Sequence, residues 1–143
     1  MVDSLGQLSE ICRQNGLALT HQRRVIYEIL LATPGHPSPE EIYGSVRKKI
    51  PSISLNTVYN NIRVFLEKGM LREVSVHHGT MRVETNSHPH HHFVCVSCRS
   101  IEDIEQEVFE PVRVKEFAPP GFKVHRYSID VIGQCANCAG AGI

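Results

Sequence analysis

The chain has 143 residues, with 15 Lys+Arg against 15 Asp+Glu, nine His, five Cys and no Trp. At roughly 100–200 residues per domain this allows one ordinary domain or two small ones, and 41% apolar with 21% charged residues excludes wholesale disorder. No apolar run nears the ~20 residues of a membrane helix, and the opening Met1-Val2-Asp3-Ser4 has no basic stretch followed by an apolar one, so a cytoplasmic protein with no membrane partner is expected. The zero net charge hides a mildly basic front: residues 1–87 hold ten Lys/Arg and eight Asp/Glu, and residues 88–143 hold five and seven.

Leu5, Leu8, Ile11 and Cys12 share one face at helical spacing and Gly16 is a stop, which predicts a first helix over 4–15. Thr20 caps a second, with Val25, Ile26, Ile29 and Leu30 along one side and Pro34-Gly35 at its end. In Ser38-Pro39-Glu40-Glu41 a cap, a first-turn proline and a capping-box Glu precede Ile42 and Val46, and Pro51 terminates this third helix. Ser54 caps a fourth that runs to Lys68, with Gly69 behind it. The period then changes to two over 71–76 and 80–84, with His77-His78-Gly79 as the hairpin turn. Helices followed by a two-stranded wing describe a winged helix-turn-helix over residues 1–83.

The polar segment 84–89 is expected to be a hinge. Residues 90–143 then form a small α+β unit: strands over 92–96 and 101–104, a helix over 105–117, a break at Pro119-Pro120-Gly121 and a strand over 122–132. At about 55 residues a core alone is marginal, and a metal or a partner subunit usually helps.

Cys95-Val96-Ser97-Cys98 and Cys135-Ala136-Asn137-Cys138 have the spacing of two zinc knuckles, each offering two thiolates from one tight turn to a tetrahedral ion. Such pairs near both ends of a small unit point to a structural Zn(II) site, since four sulfur ligands leave no open position. Two unrelated pairs of reduced thiols are the bland alternative. Cys12 stands alone on an apolar helix face and is expected in the core.

In His88-Pro89-His90-His91-His92-Phe93 the strand period puts His90 and His92 on one face and His91 on the other, so two imidazoles can share an ion. Asp103 can add a carboxylate, with Glu102 and Glu105 as competitors. A solvated His-rich loop is the competing view, and the neighbouring knuckle favours metal. Spacing ties neither His36 nor Glu84 to this ion.

On the fourth helix, Leu55, Val58, Ile62, Phe65 and Leu66 share one sector, while Asn56, Asn60, Arg63 and Glu67 lie away from it and Tyr59 flanks the stripe. Asn suits adenine, Arg suits guanine or phosphate, and a Tyr ring packs on a thymine methyl. An ordinary amphipathic surface helix would share this periodicity, but Arg72 and Arg82 on the wing and Arg23, Arg24, Arg47, Lys48 and Lys49 favour DNA.

These residues together resemble the ferric uptake regulator (Fur) family along nearly the whole chain. The segments that carry it are Leu19-Thr20-x-x-Arg23, His36-Pro37 with Ile42-Tyr43, Ser54-Leu55-x-Thr57-Val58-Tyr59, His90-x-His92-x-x-Cys95-x-x-Cys98 and Cys135-x-x-Cys138. The resemblance implies a homodimeric, metal-dependent transcriptional repressor, not an enzyme, that binds double-stranded DNA at a palindromic operator. Within the family, Tyr59-Asn60-Asn61-Ile62-Arg63-Val64-Phe65 is similar to the peroxide-sensing (PerR) branch.

Carried over by position, the regulatory ligands are His36, Glu84, His90, His92 and Asp103, the oxidation-sensitive residues His36 and His90, and the DNA contacts Arg23, Asn56, Thr57, Tyr59, Asn60 and Arg63. Mixed nitrogen and oxygen donors match Fe(II) or Mn(II), although Zn(II) binds such sites too. Peroxide sensors usually carry Asp where Glu84 stands, while iron and zinc sensors carry Glu, so a regulator that senses iron or zinc level is the alternative. Tyr127 stands where family members often have a His of a further metal site, which is therefore not expected. A metallohydrolase lacks an evident base or nucleophile here, and a metal-storage protein would leave the winged helix without a purpose.

Overall fold

A computed structural model of the chain describes residues 5–74, 81–109 and 112–140. They form two compact units, residues 1–87 and 88–143, each α plus β. No helix among the described residues is long and apolar enough to cross a membrane.

Unit 1 opens with α1 (Leu5–Gln14), α2 (His21–Ala32), α3 (Pro39–Lys49) and α4 (Leu55–Glu67). Thr20, Ser38 and Ser54 each accept the backbone N–H three residues on, and Glu41 returns a hydrogen bond to the Ser38 N–H, closing a capping box. Such a cap is worth about 1 kcal/mol, so each helix start is set locally. Helix α4 ends where Gly69 takes φ +70, a backbone conformation cheap only for glycine. That turn lets Met70 N–H reach Phe65 O (2.8 Å) and Gly69 N–H reach Leu66 O (3.1 Å), satisfying the last carbonyls.

The core of unit 1 gathers Leu8 and Cys12 from α1, Val25, Ile26, Tyr27, Ile29 and Leu30 from α2, Ile42 and Val46 from α3, and Val58, Ile62 and Phe65 from α4. Tyr27 meets Phe65 edge-on at 5.1 Å and donates its hydroxyl to Met70 O at 2.7 Å, which satisfies its one buried polar atom. Leu55, expected on the buried stripe, is 36% exposed, at the first residue of α4. Strands β1 (Arg72–Val74) and β2 (Arg82–Glu84) pair antiparallel, with Arg72 opposite Glu84. The expected turn His77-His78-Gly79 lies outside the described residues.

Unit 2 is a three-stranded sheet in the order β4-β3-β5: β3 (His90–Cys95) is central, β4 (Ile101–Glu105) antiparallel to it and β5 (Asp130–Gly133) parallel. The helix expected over 105–117 is instead a 3₁₀ turn, Gln106–Phe109, and a short α5 (Val114–Phe117). Pro111 in the sequence between them lacks the N–H an unbroken helix requires and would clash with the preceding turn. The strand expected over 122–132 shortens to β5, because the parallel ladder with β3 covers Asp130–Gly133; among the described residues Phe122 and Val124 are exposed and outside that ladder. Helix α6 (Ala136–Gly140) follows Cys135.

Candidate metal centres and nucleic-acid interface

The turn after β3 and the turn after β5 bring Cys95, Cys98, Cys135 and Cys138 together, with the four Sγ atoms all within 4.8 Å of one another. Parallel pairing of Cys95 with Gly133 places the two knuckles side by side, and Gln134 Nε2 donates to Ser97 Oγ across them at 3.0 Å. Backbone N–H groups of Cys98, Cys135 and Ser97 aim at Cys95 Sγ and draw its pKa down to about 6. The Cys135 thiol and burial push Cys138 up to about 12. Four thiols this close cannot all ionise unaided, and a dication removes that conflict. Zn–S bonds of about 2.3 Å in a tetrahedron separate sulfurs by about 3.8 Å, and Cys98 Sγ lies 3.7 Å from Cys135 Sγ. The donors and their spacing fit zinc.

Unit 2 also carries an imidazole and carboxylate cluster. On β3, His90 and His92 share a face, and His92 stands directly opposite Asp103 of β4. Asp103 Oδ1 lies 3.6 Å from His90 Nε2 and 3.5 Å from His92 Nε2, so both rings present the same nitrogen to one carboxylate. Of the three acidic candidates, Asp103 is the one both imidazoles meet; Glu102 pairs with Phe93 on the other face. His90 Nδ1 faces the His88 carbonyl, and His92 Nδ1 lies 3.9 Å from Asp130 Oδ1. Ligand atoms sharing an ion at about 2.1 Å sit roughly 3.0–3.4 Å apart, so each imidazole–carboxylate separation needs only a slight contraction to fit a shared metal. His91 points the other way, packed against Phe109 and Tyr127, with Nδ1 accepting the Ile129 N–H and burial lowering its pKa.

Within unit 1, His36 Nε2 lies 3.2 Å from Glu84 Oε2, their side chains 6% and 4% exposed. The two residues meet because Val83 N–H donates to Pro37 O (3.0 Å) and Arg82 donates to His36 O (3.0 Å), which clamp the α2–α3 loop onto β2. Arg82 thus turns toward the α2–α3 loop, and Arg72 donates to Ser87 O at 3.4 Å. A buried carboxylate requires a compensating partner, and His36 with a cation would complete that compensation.

On α4, Asn56, Asn60 and Arg63 are exposed. The other expected DNA contacts are engaged inside the unit. Arg23 donates to Asn61 Oδ1 (3.1 Å) and Ala18 O (2.7 Å), tying α2 to α4. Thr57 belongs to the Ser54 cap, and Tyr59 donates to Glu40 Oε1 at 2.9 Å; burial, and then this contact, raise the Tyr59 pKa.

Comparison with known proteins follows the same lines. The sequence model of the Ferric uptake regulator family matches residues 14–132. The Peroxide operon regulator of Bacillus subtilis is 31% identical over 94% of this chain and 93% of its own. The peroxide-responsive repressor PerR of Staphylococcus epidermidis is 32% identical over 91% and 87%. The solved structure of the Vibrio cholerae ferric uptake regulator (Fur) superposes with a TM-score of 0.75 at 28% identity, over 90% of this chain and 99% of that one. The chain belongs to the ferric uptake regulator family of metal-dependent transcriptional repressors.

Proposed function

We propose that this protein is a peroxide-responsive repressor in which one Fe(II) or Mn(II) ion, held by His36, Glu84, His90, His92 and Asp103, latches a DNA-binding part to a dimerisation part. The observation that carries this reading is the pair of donor sets, each assembled within its own unit: buried His36 beside Glu84, and the His90 and His92 Nε2 atoms against Asp103. In this reading residues 1–83 bind DNA, 84–89 are a hinge and 90–143 dimerise, with Cys95, Cys98, Cys135 and Cys138 on a structural zinc. Family regulators bind DNA as dimers, and a two-fold dimer spaces two recognition helices for a palindromic operator. The protein acts as a regulator in the cytoplasm and not as an enzyme.

Asn56, Asn60 and Arg63 project from α4 to bases and phosphates, while Arg23, Thr57 and Tyr59 hold the helix in place. To reverse a 99:1 bias toward the open form, the closed form must bind the ion more tightly by about 5.5 kcal/mol. Fe(II) held by these residues would supply the one-electron chemistry that splits peroxide and would be restored by an electron from the attacked ring. In the net change a ring carbon of His36 or His90 would exchange its C–H for C–OH, the second peroxide oxygen would leave as water, and the two electrons that reduce the peroxide would come from the ring. The oxidised ring donates poorly, the latch opens and repression ends. The peroxide names of the two relatives support this reading.

Glu84, in place of the usual Asp, favours a second reading, a sensor of iron or zinc level that ignores peroxide. Operator binding titrated with Fe(II), Mn(II) and Zn(II), with and without dilute peroxide, separates the two. Release by peroxide only with iron is expected. Iron-dependent binding that peroxide leaves unchanged selects the second reading, and binding insensitive to chelator refutes both.

A further inference from the structure

The central strand of unit 2 carries one row of side chains across all three strands: Asp103 on β4, His92 on β3 and Asp130 on β5, each directly opposite the next in the ladder. One imidazole therefore stands between two carboxylates that address different nitrogens. Asp103 Oδ1 lies 3.5 Å from Nε2, and Asp130 Oδ1 lies 3.9 Å from Nδ1. The two acids also differ in surroundings, with side chains 38% and 17% exposed. Asp103 sits at the open side, where it also meets His90. Asp130 sits behind the ring on the nitrogen that a metal at Nε2 leaves free.

We propose that Asp130 is a positioning residue for the regulatory ion: it fixes the ring of His92 with Nδ1–H toward its own carboxylate, leaves the Nε2 lone pair for metal, and raises that nitrogen's donor strength. A carboxylate behind a ligating imidazole does this generally, and its loss typically costs 10–100-fold in metal affinity. The backbone enforces the arrangement, since parallel pairing of His92 with Asp130 is secured by the His92 N–H donating to Ile129 O at 3.1 Å. His90 has a weaker counterpart, because its Nδ1 faces the neutral carbonyl of His88. The two imidazoles of the triad are thus unequal donors, with His92 the stronger.

This inference rests on the assignment of His92 as a regulatory ligand, and the experiment separates the two. Mn(II) affinity is measured on the full-length, zinc-loaded protein as wild type, Asp130→Ala, Asp130→Glu and His92→Ala. In parallel, the His92 Nδ1–H signal is followed by NMR in protein saturated with diamagnetic Zn(II). Asp130→Ala is expected to weaken Mn(II) binding by about 10–100-fold, to retain the zinc of the cysteine site and to lose the slowly exchanging Nδ1–H signal. Asp130→Glu is expected to restore most of both. Mn(II) affinity within about twofold of wild type in Asp130→Ala, alongside a large loss in His92→Ala, would overturn the role of Asp130 alone. A Glu variant as weak as Ala would reduce the residue to packing and overturn it as well. Wild-type Mn(II) affinity in His92→Ala would overturn the ligand assignment and this inference together.

Discussion

Replacing Cys98 by Ser should unfold unit 2 and leave unit 1 folded. Cys98 is exposed, so exchanging its sulfur for oxygen removes one zinc ligand without opening a cavity. Among the described residues of unit 2, the buried apolar side chains are Val94 and Cys95 alone. Full burial of an aliphatic side chain contributes about 1.5–3 kcal/mol, far less than the roughly 10–16 kcal/mol that a structural zinc site adds at neutral pH. Unit 1 has its own core from four helices and no cysteine ligand in it. The assay is zinc release measured with a chromogenic chelator beside hydrogen exchange resolved by peptide. The variant should hold about one zinc fewer per chain, with the amides of β3 and β5 exchanging freely and those of α2 and α4 as protected as in wild type. Zinc-free Cys98→Ser protein with β3 still protected would refute the argument that the metal, and not packing, holds this unit.

Other outcomes follow from the same contacts. Because backbone N–H groups draw the pKa of the metal-free Cys95 thiol down to about 6 and a bound dication lowers it further, zinc should be retained against a chelator at and above pH 6 and lost only in more acidic solution; loss of zinc already at neutral pH would contradict the cause given for the shift. Phe65→Ala should lower the stability of unit 1 by about 3–5 kcal/mol, seen as a drop in urea midpoint at constant slope. Asn60→Ala should cost about 1–3 kcal/mol on the cognate operator and little on unrelated duplex; equal losses on both would show that Asn60 reads no base. Arg99, at φ +65 in the first knuckle, holds a conformation that costs an L-residue about 1–2 kcal/mol, so Arg99→Gly should slow zinc loss to a competing chelator.

The features legible in the sequence are those whose cause lies within a few residues. Thr20, Ser38 and Ser54 announce their helices because a cap bonds three residues ahead, and each Cys-x-x-Cys pair announces a knuckle because one turn aims both sulfurs. Alternation alone put His90 and His92 on one face. Where the cause is distant, the sequence misleads or is silent. The segment 122–129 has strand-like composition, but β structure needs a neighbour, and β3 pairs only with Asp130–Gly133. Leu55 fits the apolar period of α4 yet is exposed at its first turn. Basic residues suited to phosphate also make internal ties that no pattern encodes, Arg23 to Asn61 and Arg82 to the His36 carbonyl. The approach of His36 to Glu84 follows from the bonds of Val83 N–H to Pro37 O and of Arg82 to His36 O, and no spacing rule encodes them. Asp130 escapes for the same reason: its place beside His92 is a matter of parallel register between strands nearly forty residues apart.

The central claim is that the His36, Glu84, His90, His92 and Asp103 donors hold one redox-active ion whose reaction with peroxide damages its own ligands. The most direct measurement is peptide mass after dilute peroxide, on protein loaded with Fe(II) or with Mn(II) and bound to operator. With iron, the account predicts a single added oxygen of about 16 Da on a peptide holding His36 or His90, in step with release of DNA. With manganese it predicts neither. Iron-loaded protein that keeps both its mass and its operator, or an added oxygen that appears equally with manganese, would contradict it.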